Sequence, residues 1–291
     1  MKATATPKLD RTMKLADGRT LAYSEWGDLR GSPLVLLHGE PGSRLMCPDV
    51  DATEAAGVRL ITIDRPGYGR SDPRPDRTLL SWVDDWVELA DHLELPSCPV
   101  VGWSGGGPYA LACAYRLPER VPAIGLAGSP GLVGEVPGAL DDYYSPEGRA
   151  NYELFQRDRA AGTEAITKRA QWYDGDGWQT LLADSGDNAD DRLLTRADVL
   201  ETFKACLREG ARQGSVGYTE DGVAEAGPAG FSVAAIQQEV HVWIGEADPI
   251  VSRLHADYLV RTIPRAALVS FPGEGHLFLF DHWAEMLTAL S

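Results

Sequence analysis

A serine hydroxyl is a weak nucleophile unless the backbone presents it to a base, and one serine of this sequence sits in a pattern that does so. Gly102-Trp103-Ser104-Gly105-Gly106 follows the apolar run 98–101 and precedes a helical pattern that begins near Pro108. G-x-S-x-G between a strand and a helix makes a tight, strained turn with the serine at its tip. Small residues two before and two after it let the two backbones approach without Cβ clashes. The helix N-terminus also favours the negative charge that develops in acyl transfer. A phosphate-cradling loop is the structural rival. Gly102 to Gly107 has neither G-x-G-x-x-G spacing nor a P-loop lysine. Ser104 is therefore the candidate nucleophile.

Acyl transfer by serine also needs a base and an acid that orients it. Of the 6 histidines, His92, His255 and His282 fall in helical patterns and His241 in a buried strand. His276 lies in the glycine-flanked turn Gly273-Glu274-Gly275-His276 after a predicted strand, and His38 lies in a loop after another. Asp248 follows the strand 240–244 through a short turn containing Gly245, which puts its carboxylate at the carboxyl edge of a sheet. Capping the next helix is its competing role.

The elements that must hold these residues show an α/β rhythm. Segments 21–23, 34–37, 58–64, 98–101 and 123–127 read as strands. Residues 81–93 read as a helix, with Trp82, Val83, Trp86, Leu89, Ala90 and Leu93 at helical spacing and Ser81 placed to cap its start. Residues 108–117 form a second, with Pro108 in the first turn, where a missing N–H costs little. Such alternation predicts a mainly parallel sheet covered on both faces. The rhythm breaks over 131–231, which has several helical patterns and no buried strand. Tyr143, Tyr144, Tyr152, Phe155, Trp172, Tyr173 and Trp178 make its first part aromatic. Residues 199–207 read as a helix there and 214–230 as a loop. Strands return at 240–244 and 267–271, and a helix over 277–290 closes the chain. The organisation predicted is an α/β core of residues 1–131 and 236–291, interrupted by an insertion over 132–235.

Five stretches then fall in one order: His38-Gly39-Glu40-Pro41-Gly42, Asp64-Arg65-Pro66-Gly67-Tyr68-Gly69-Arg70-Ser71, the Ser104 turn, Gly245-Glu246-Ala247-Asp248 and Gly273-Glu274-Gly275-His276. Together they resemble the α/β-hydrolase family over nearly the whole chain outside the insertion. The resemblance implies the α/β-hydrolase fold, with a mostly parallel central sheet flanked by helices and a mainly helical cap inserted after the sixth strand. It implies Ser104 as nucleophile, Asp248 as acid and His276 as base, in the chain order expected of that fold. His38-Gly39-Glu40 resembles the oxyanion loop, with the backbone N–H groups of Glu40 and Gly105 as its two donors. The Glu40 side chain is then an ordinary turn residue and His38 shapes the loop. His38, Gly39 and Trp103 are the candidates for lining the substrate pocket. A family variant places the acid after an earlier strand, but Ala127-Gly128-Ser129-Pro130-Gly131 has no carboxylate. The stretch 64–72 reads as structural, Gly67 and Gly69 serving its turn and Arg65 and Arg70 making local ion pairs.

Serine at this turn excludes the branches with an aspartate nucleophile, the haloalkane dehalogenases and ordinary epoxide hydrolases. The resemblance implies hydrolysis of a carboxylic ester or lactone of a small molecule, with no metal or organic cofactor. Amide or peptide cleavage, C–C bond hydrolysis and cofactor-free perhydrolysis use the same residues. The HGEPGS and GYGRSD pieces also resemble proline iminopeptidases, whose typical W-G-G-S-W-G turn differs from the one here. A non-hydrolytic small-molecule receptor or biosynthetic protein on the same fold is the alternative of another class. The tyrosines and tryptophans of the cap either line an acyl pocket beside Trp103 or, for most of them, pack the cap on the core.

Composition narrows the partners. With 27 basic and 43 acidic residues the formal charge is −16, a surface that repels phosphate backbones and anionic lipid. Nucleic acid and membrane partners are not expected, and the protein is expected to act as a monomer or homodimer. Cys47, Cys98, Cys113 and Cys206 have no metal-ligand spacing, and Cys113 reads as a core residue. The first ten residues lack the apolar stretch of a signal peptide, and no apolar run reaches the roughly 20 residues of a membrane span. The expected location is the cytoplasm.

Overall fold

The computed structural model describes residues 6–142, 145–182 and 189–290. Its strands are β1 (Leu9–Lys14), β2 (Thr20–Gly27), β3 (Ser32–Leu37), β4 (Val58–Ile63), β5 (Val100–Trp103), β6 (Ala123–Ala127), β7 (Glu239–Gly245) and β8 (Ala266–Phe271). They form one sheet in the order β1-β2-β4-β3-β5-β6-β7-β8. The β1–β2 and β2–β4 pairs are antiparallel; every pair from β4 through β3 to β8 is parallel. This is the α/β-hydrolase fold that the sequence predicts.

Helices on both faces make the central strands apolar throughout rather than alternating. Val35 and Leu37 join the core under α2 (Leu79–His92), α3 (Gly107–Arg116) and α10 (Arg253–Thr262). Leu34 and Leu36 join the opposite core with α11 (Leu279–Ala289). There, Thr53 of α1 (Val50–Ala55) accepts the indole N–H of Trp283 at 2.9 Å. The edge strand β1 had no apolar signal, because most of its side chains are exposed.

The start of α2 differs from expectation. Thr78 is its N-cap, and Ser81 is the third residue of the first turn. The Ser81 N–H donates to Thr78 Oγ1 at 3.0 Å, and the Thr78 N–H to Ser81 Oγ at 2.8 Å, a reciprocal capping box.

Between β6 and β7 the described residues hold helices and no strand. These helices are α4 (Ala139–Asp142), α5 (Pro146–Arg157), α6 (Arg159–Ala170), α7 (Asp191–Leu194), α8 (Ala197–Gly210) and α9 (Val216–Ala226). Tyr143 and Tyr144 lie outside the described residues. Helix α9 corrects the loop expected over 214–230. Its sequence, VGYTEDGVAEA, contains two glycines and has weak helical propensity. Tertiary contacts override it. Gly217 packs so closely on Tyr68 that a Cβ there would stand 2.5 Å from the ring. Four residues on, fully buried Asp221 accepts from Arg65 Nη2 at 2.7 Å, Arg77 Nη2 at 2.5 Å and the Tyr109 hydroxyl at 2.6 Å.

The ion pairs of Arg65 and Arg70 are thus not local. Arg65 pairs with a carboxylate 156 residues away, and Arg70 with Asp10 in β1 at 2.5 Å. Both arginines sit on one tight turn, whose own carboxylate, Asp64, is taken by Arg44 at 2.7 Å. The four cysteines are buried free thiols, and no helix among the described residues is long and apolar enough to cross a membrane.

Candidate active site

Ser104 follows the last residue of β5 and opens a short 3-10 turn, Ser104–Gly106, that runs into α3. Its φ of 51° is in the left-handed region, which a non-glycine residue occupies only when its surroundings enforce it. Close packing enforces it here. A Cβ on Gly102 would stand 2.5 Å from Gly107 Cα, and one on Gly106 would stand 2.3 Å from the Leu37 carbonyl oxygen. From the end of β6, Ser129 Oγ donates to the Ser104 carbonyl at 2.9 Å.

The loop after β3 closes over this turn. Gly39 lies against Ser104, and Glu40 lies against Gly105. A Cβ on Gly105 would be 2.7 Å from Glu40 Cβ and 3.4 Å from the Glu40 backbone nitrogen. The backbones of Glu40 and Gly105 therefore meet beside the serine. His38 holds the loop from behind, with Nδ1 2.7 Å from the Gly39 carbonyl and Nε2 3.3 Å from the Arg65 N–H. Burial and the neighbouring Arg65 charge keep His38 well below the usual imidazole pKa, hence neutral. It donates from Nδ1 and accepts at Nε2. The expectation that His38 lines the substrate pocket is corrected: its ring is turned inward against Tyr68, 5.0 Å between centroids.

His276, in the loop after β8, directs Nδ1 at Asp248 Oδ2, 2.8 Å away. The other Asp248 oxygen accepts the N–H groups of Ile250 and Val251 at 2.8 and 2.9 Å, which fixes the carboxylate. Helix α10 takes Ser252 as its N-cap, so the competing role for Asp248 falls away. Burial would lower the pKa of His276, but the charge and hydrogen bond of Asp248 outweigh it and raise the value above 6.5. Trp103 packs its ring 5.5 Å from the imidazole and donates its indole N–H to the His276 carbonyl at 3.4 Å. By contrast, His282 stacks on Phe271 at 3.7 Å and pairs with Glu285.

A residue with no sequence signal completes this loop. Asp190, buried and contributed by the β6–β7 segment, accepts the backbone N–H of His276 at 2.9 Å and of Leu277 at 2.7 Å.

Ser104, Gly39, Glu40, Trp103 and His276 line one cavity of about 300 Å³. The segment between β6 and β7 supplies its far wall, including Tyr152, Arg169, Trp172, Phe203, Tyr218 and Glu225. Of the aromatic residues expected there, Tyr152 and Trp172 face the cavity, whereas Phe155, Tyr173 and Trp178 are buried in packing. Glu40 is more than a turn residue. Its carboxyl lies at the cavity wall together with that of Glu225. Burial, then the charges of Glu225 and Asp221, push Glu40 well above the usual carboxyl range. Burial and Asp221 do the same to Glu225, whose Oε1 has no hydrogen-bond partner. Among the described residues no group of three or more His, Cys, Asp or Glu is arranged to hold a metal ion.

Residues 32–282 match the model of the alpha/beta hydrolase fold family. The chain belongs to that family. This α/β hydrolase is 30% identical to the 2-hydroxymuconate semialdehyde hydrolase of Pseudomonas sp. (strain CF600), over 96% of its own length and 91% of that protein. It is also 30% identical to a proline iminopeptidase of Arabidopsis thaliana, over 42% of its length and 33% of that protein. The chain thus spans only about a third of some curated relatives, 38% and 33% in two cases. Among solved structures, a hydrolase from Pseudomonas aeruginosa PA01 superposes with a TM-score of 0.72 at 22% identity, covering 98% and 97% of the two chains.

Proposed function

We propose that this α/β hydrolase cleaves a carboxylic ester or lactone of a small molecule through an acyl-enzyme on Ser104. The observation that carries the reading is the Asp248–His276 hydrogen bond of 2.8 Å at the wall of the cavity that also holds a left-handed Ser104. In this reading His276 Nε2 takes the Ser104 proton as Oγ attacks the carbonyl carbon. Asp248 keeps the other nitrogen protonated and stabilises the imidazolium. The N–H groups of Glu40 and Gly105 hold the tetrahedral oxyanion; losing one such donor costs about 3 kcal/mol. His276 returns the proton to the leaving alcohol, and water attacks the acyl-enzyme with His276 again as base.

Residues 132–235 act in this reading as a cap over the carboxyl edge of the sheet, where open α/β sheets admit ligands. Residues 1–131 and 236–291 are the core. The acidic surface, at −16, suits a cytoplasmic protein that meets neither nucleic acid nor anionic lipid and acts as a monomer or homodimer.

The experiment is a panel of p-nitrophenyl esters and lactones against the wild type and Ser104→Ala, with labelling by a fluorophosphonate. Turnover lost in the variant, with the label on Ser104, supports the reading. Label on another serine, or full activity in Ser104→Ala, refutes it. C–C bond hydrolysis is a second reading, favoured by the near full-length match to 2-hydroxymuconate semialdehyde hydrolase. Cleavage of a vinylogous diketone with no turnover of any ester would select it.

A further inference from the structure

A second cavity of about 250 Å³ lies behind the first, and Tyr152 and Glu225 line both. Leu79, Pro108, Leu132, Val133 and Phe231 give this second space a hydrocarbon wall. Two of its polar side chains are already engaged: Glu135 accepts the Val233 N–H at 3.3 Å, and Gln156 donates to the Ala226 carbonyl at 2.6 Å. Gly134 and Pro228 on its lining are exposed, so the space is a cleft reached from solvent as well as from the side it shares with the first cavity. An apolar compartment sharing a wall with a reaction cavity suits a ligand that spans both.

We propose that this second cavity receives the unbranched hydrocarbon end of the substrate, which reaches it from Ser104 past Tyr152 and Glu225. The inference rests on the ester-hydrolase reading for its chemistry, but the cavity and its occupant do not. The occupant is an alkyl chain, because apart from Glu225, whose Oε1 has no hydrogen-bond partner, the wall offers contact area and few unengaged polar side chains. Each methylene buried there gains up to about fourfold in affinity or kcat/KM.

Gly134 provides the test. It lines the cleft at an exposed position, and a Cβ there meets only the Tyr152 hydroxyl, at 3.6 Å. Gly134→Leu, and Ala229→Phe on another part of the wall, are compared with wild type on straight-chain p-nitrophenyl esters from acetyl to dodecanoyl. Binding of decan-1-ol to the Ser104→Ala protein and to its Gly134→Leu double variant is measured by calorimetry. Expected are a rise in kcat/KM with chain length in the wild type and a loss of tenfold or more on decanoyl ester in either variant. Acetyl ester turnover should stay within twofold, and decanol should bind about tenfold more weakly to the double variant. An unchanged chain-length profile in whichever variant folds, or no decanol binding to Ser104→Ala, overturns the proposal. If no ester is turned over while decanol binds and Gly134→Leu weakens it, the ester reading fails and the compartment stands.

Discussion

The carboxylate of Asp190 accepts the backbone N–H groups of His276 at 2.9 Å and of Leu277 at 2.7 Å, reaching them from a segment 86 residues earlier in the chain. The loop that carries the imidazole is thus held from above by the inserted segment and from the side by Asp248. One anchor sets where the ring is; the other sets which nitrogen bears the proton.

Asp190 is a positioning residue, and its removal should move His276 rather than empty the cavity. Displacing a reacting group by about an ångström commonly costs on the order of a hundredfold in rate. Asp190→Ala is expected to lower kcat by about tenfold to a hundredfold with KM nearly unchanged. Asp190→Asn keeps an acceptor oxygen and should recover part of the loss. Steady-state kinetics on one ester checks the split.

The acid limb of the pH profile should report His276. The base must be neutral, so kcat/KM falls as pH drops through the imidazole pKa, which Asp248 raises above 6.5. Asp248→Asn should move that limb to lower pH and cost on the order of ten-thousandfold in kcat through the wrong tautomer. A limb that stays in place would assign the titration to another group.

An alkaline limb should come from the cavity's acid pair. Burial and neighbouring charge raise Glu40 and Glu225, the latter to about 8. The proton that these shifts retain spares the Glu40 and Gly105 backbones a further negative charge. Once rising pH removes it, a second carboxylate faces the developing oxyanion and the rate falls. Glu225→Gln should abolish or displace this limb and leave the acid limb alone. The pH dependence of kcat/KM for the two proteins decides it.

Asp221 should matter to stability more than any other acid of the inserted segment. It is fully buried between Arg65 and Arg77. Removing one member of a buried ion pair costs about 3 to 5 kcal/mol, because the partner charge is left unpaired. Asp221→Ala is expected to lose about that much in denaturant unfolding. Burial opposes ionisation, but the two guanidinium groups prevail and lower the carboxyl from 3.8 to about 2. Its contribution is complete above the unfolded-state value of 3.8 and lost as pH falls through 2.

Much of the frame was legible because its signals are local. Buried parallel strands are continuous apolar runs, and the Ser104 turn needs glycines at fixed offsets from the serine. Asp248 and His276 were legible as polar residues in short glycine-containing turns after such runs. Asp190, Asp221 and Glu225 were not, because each is one acid among several in its stretch with no spacing that sets it apart. Burial of Asp190 and Asp221 is decided by partners 86 and 156 residues distant. Helix α9 was missed for the same reason: its two glycines argue against a helix until Tyr68 packs on one of them. The inward turn of the His38 ring carries no local signal, because a loop sequence does not tell which side of the loop a ring takes.

Arg65 binds Asp221 at 2.7 Å and also donates to the carbonyls of His38 and Gly39. One guanidinium therefore serves both α9, which lines the cavity, and the loop after β3. Displacing α9 from that guanidinium would also disturb the contacts that hold the loop after β3. A foreign segment grafted between β6 and β7 would have to bring an acid to the place of Asp221, or Arg65 would be left buried and unpaired beside the Ser104 loop.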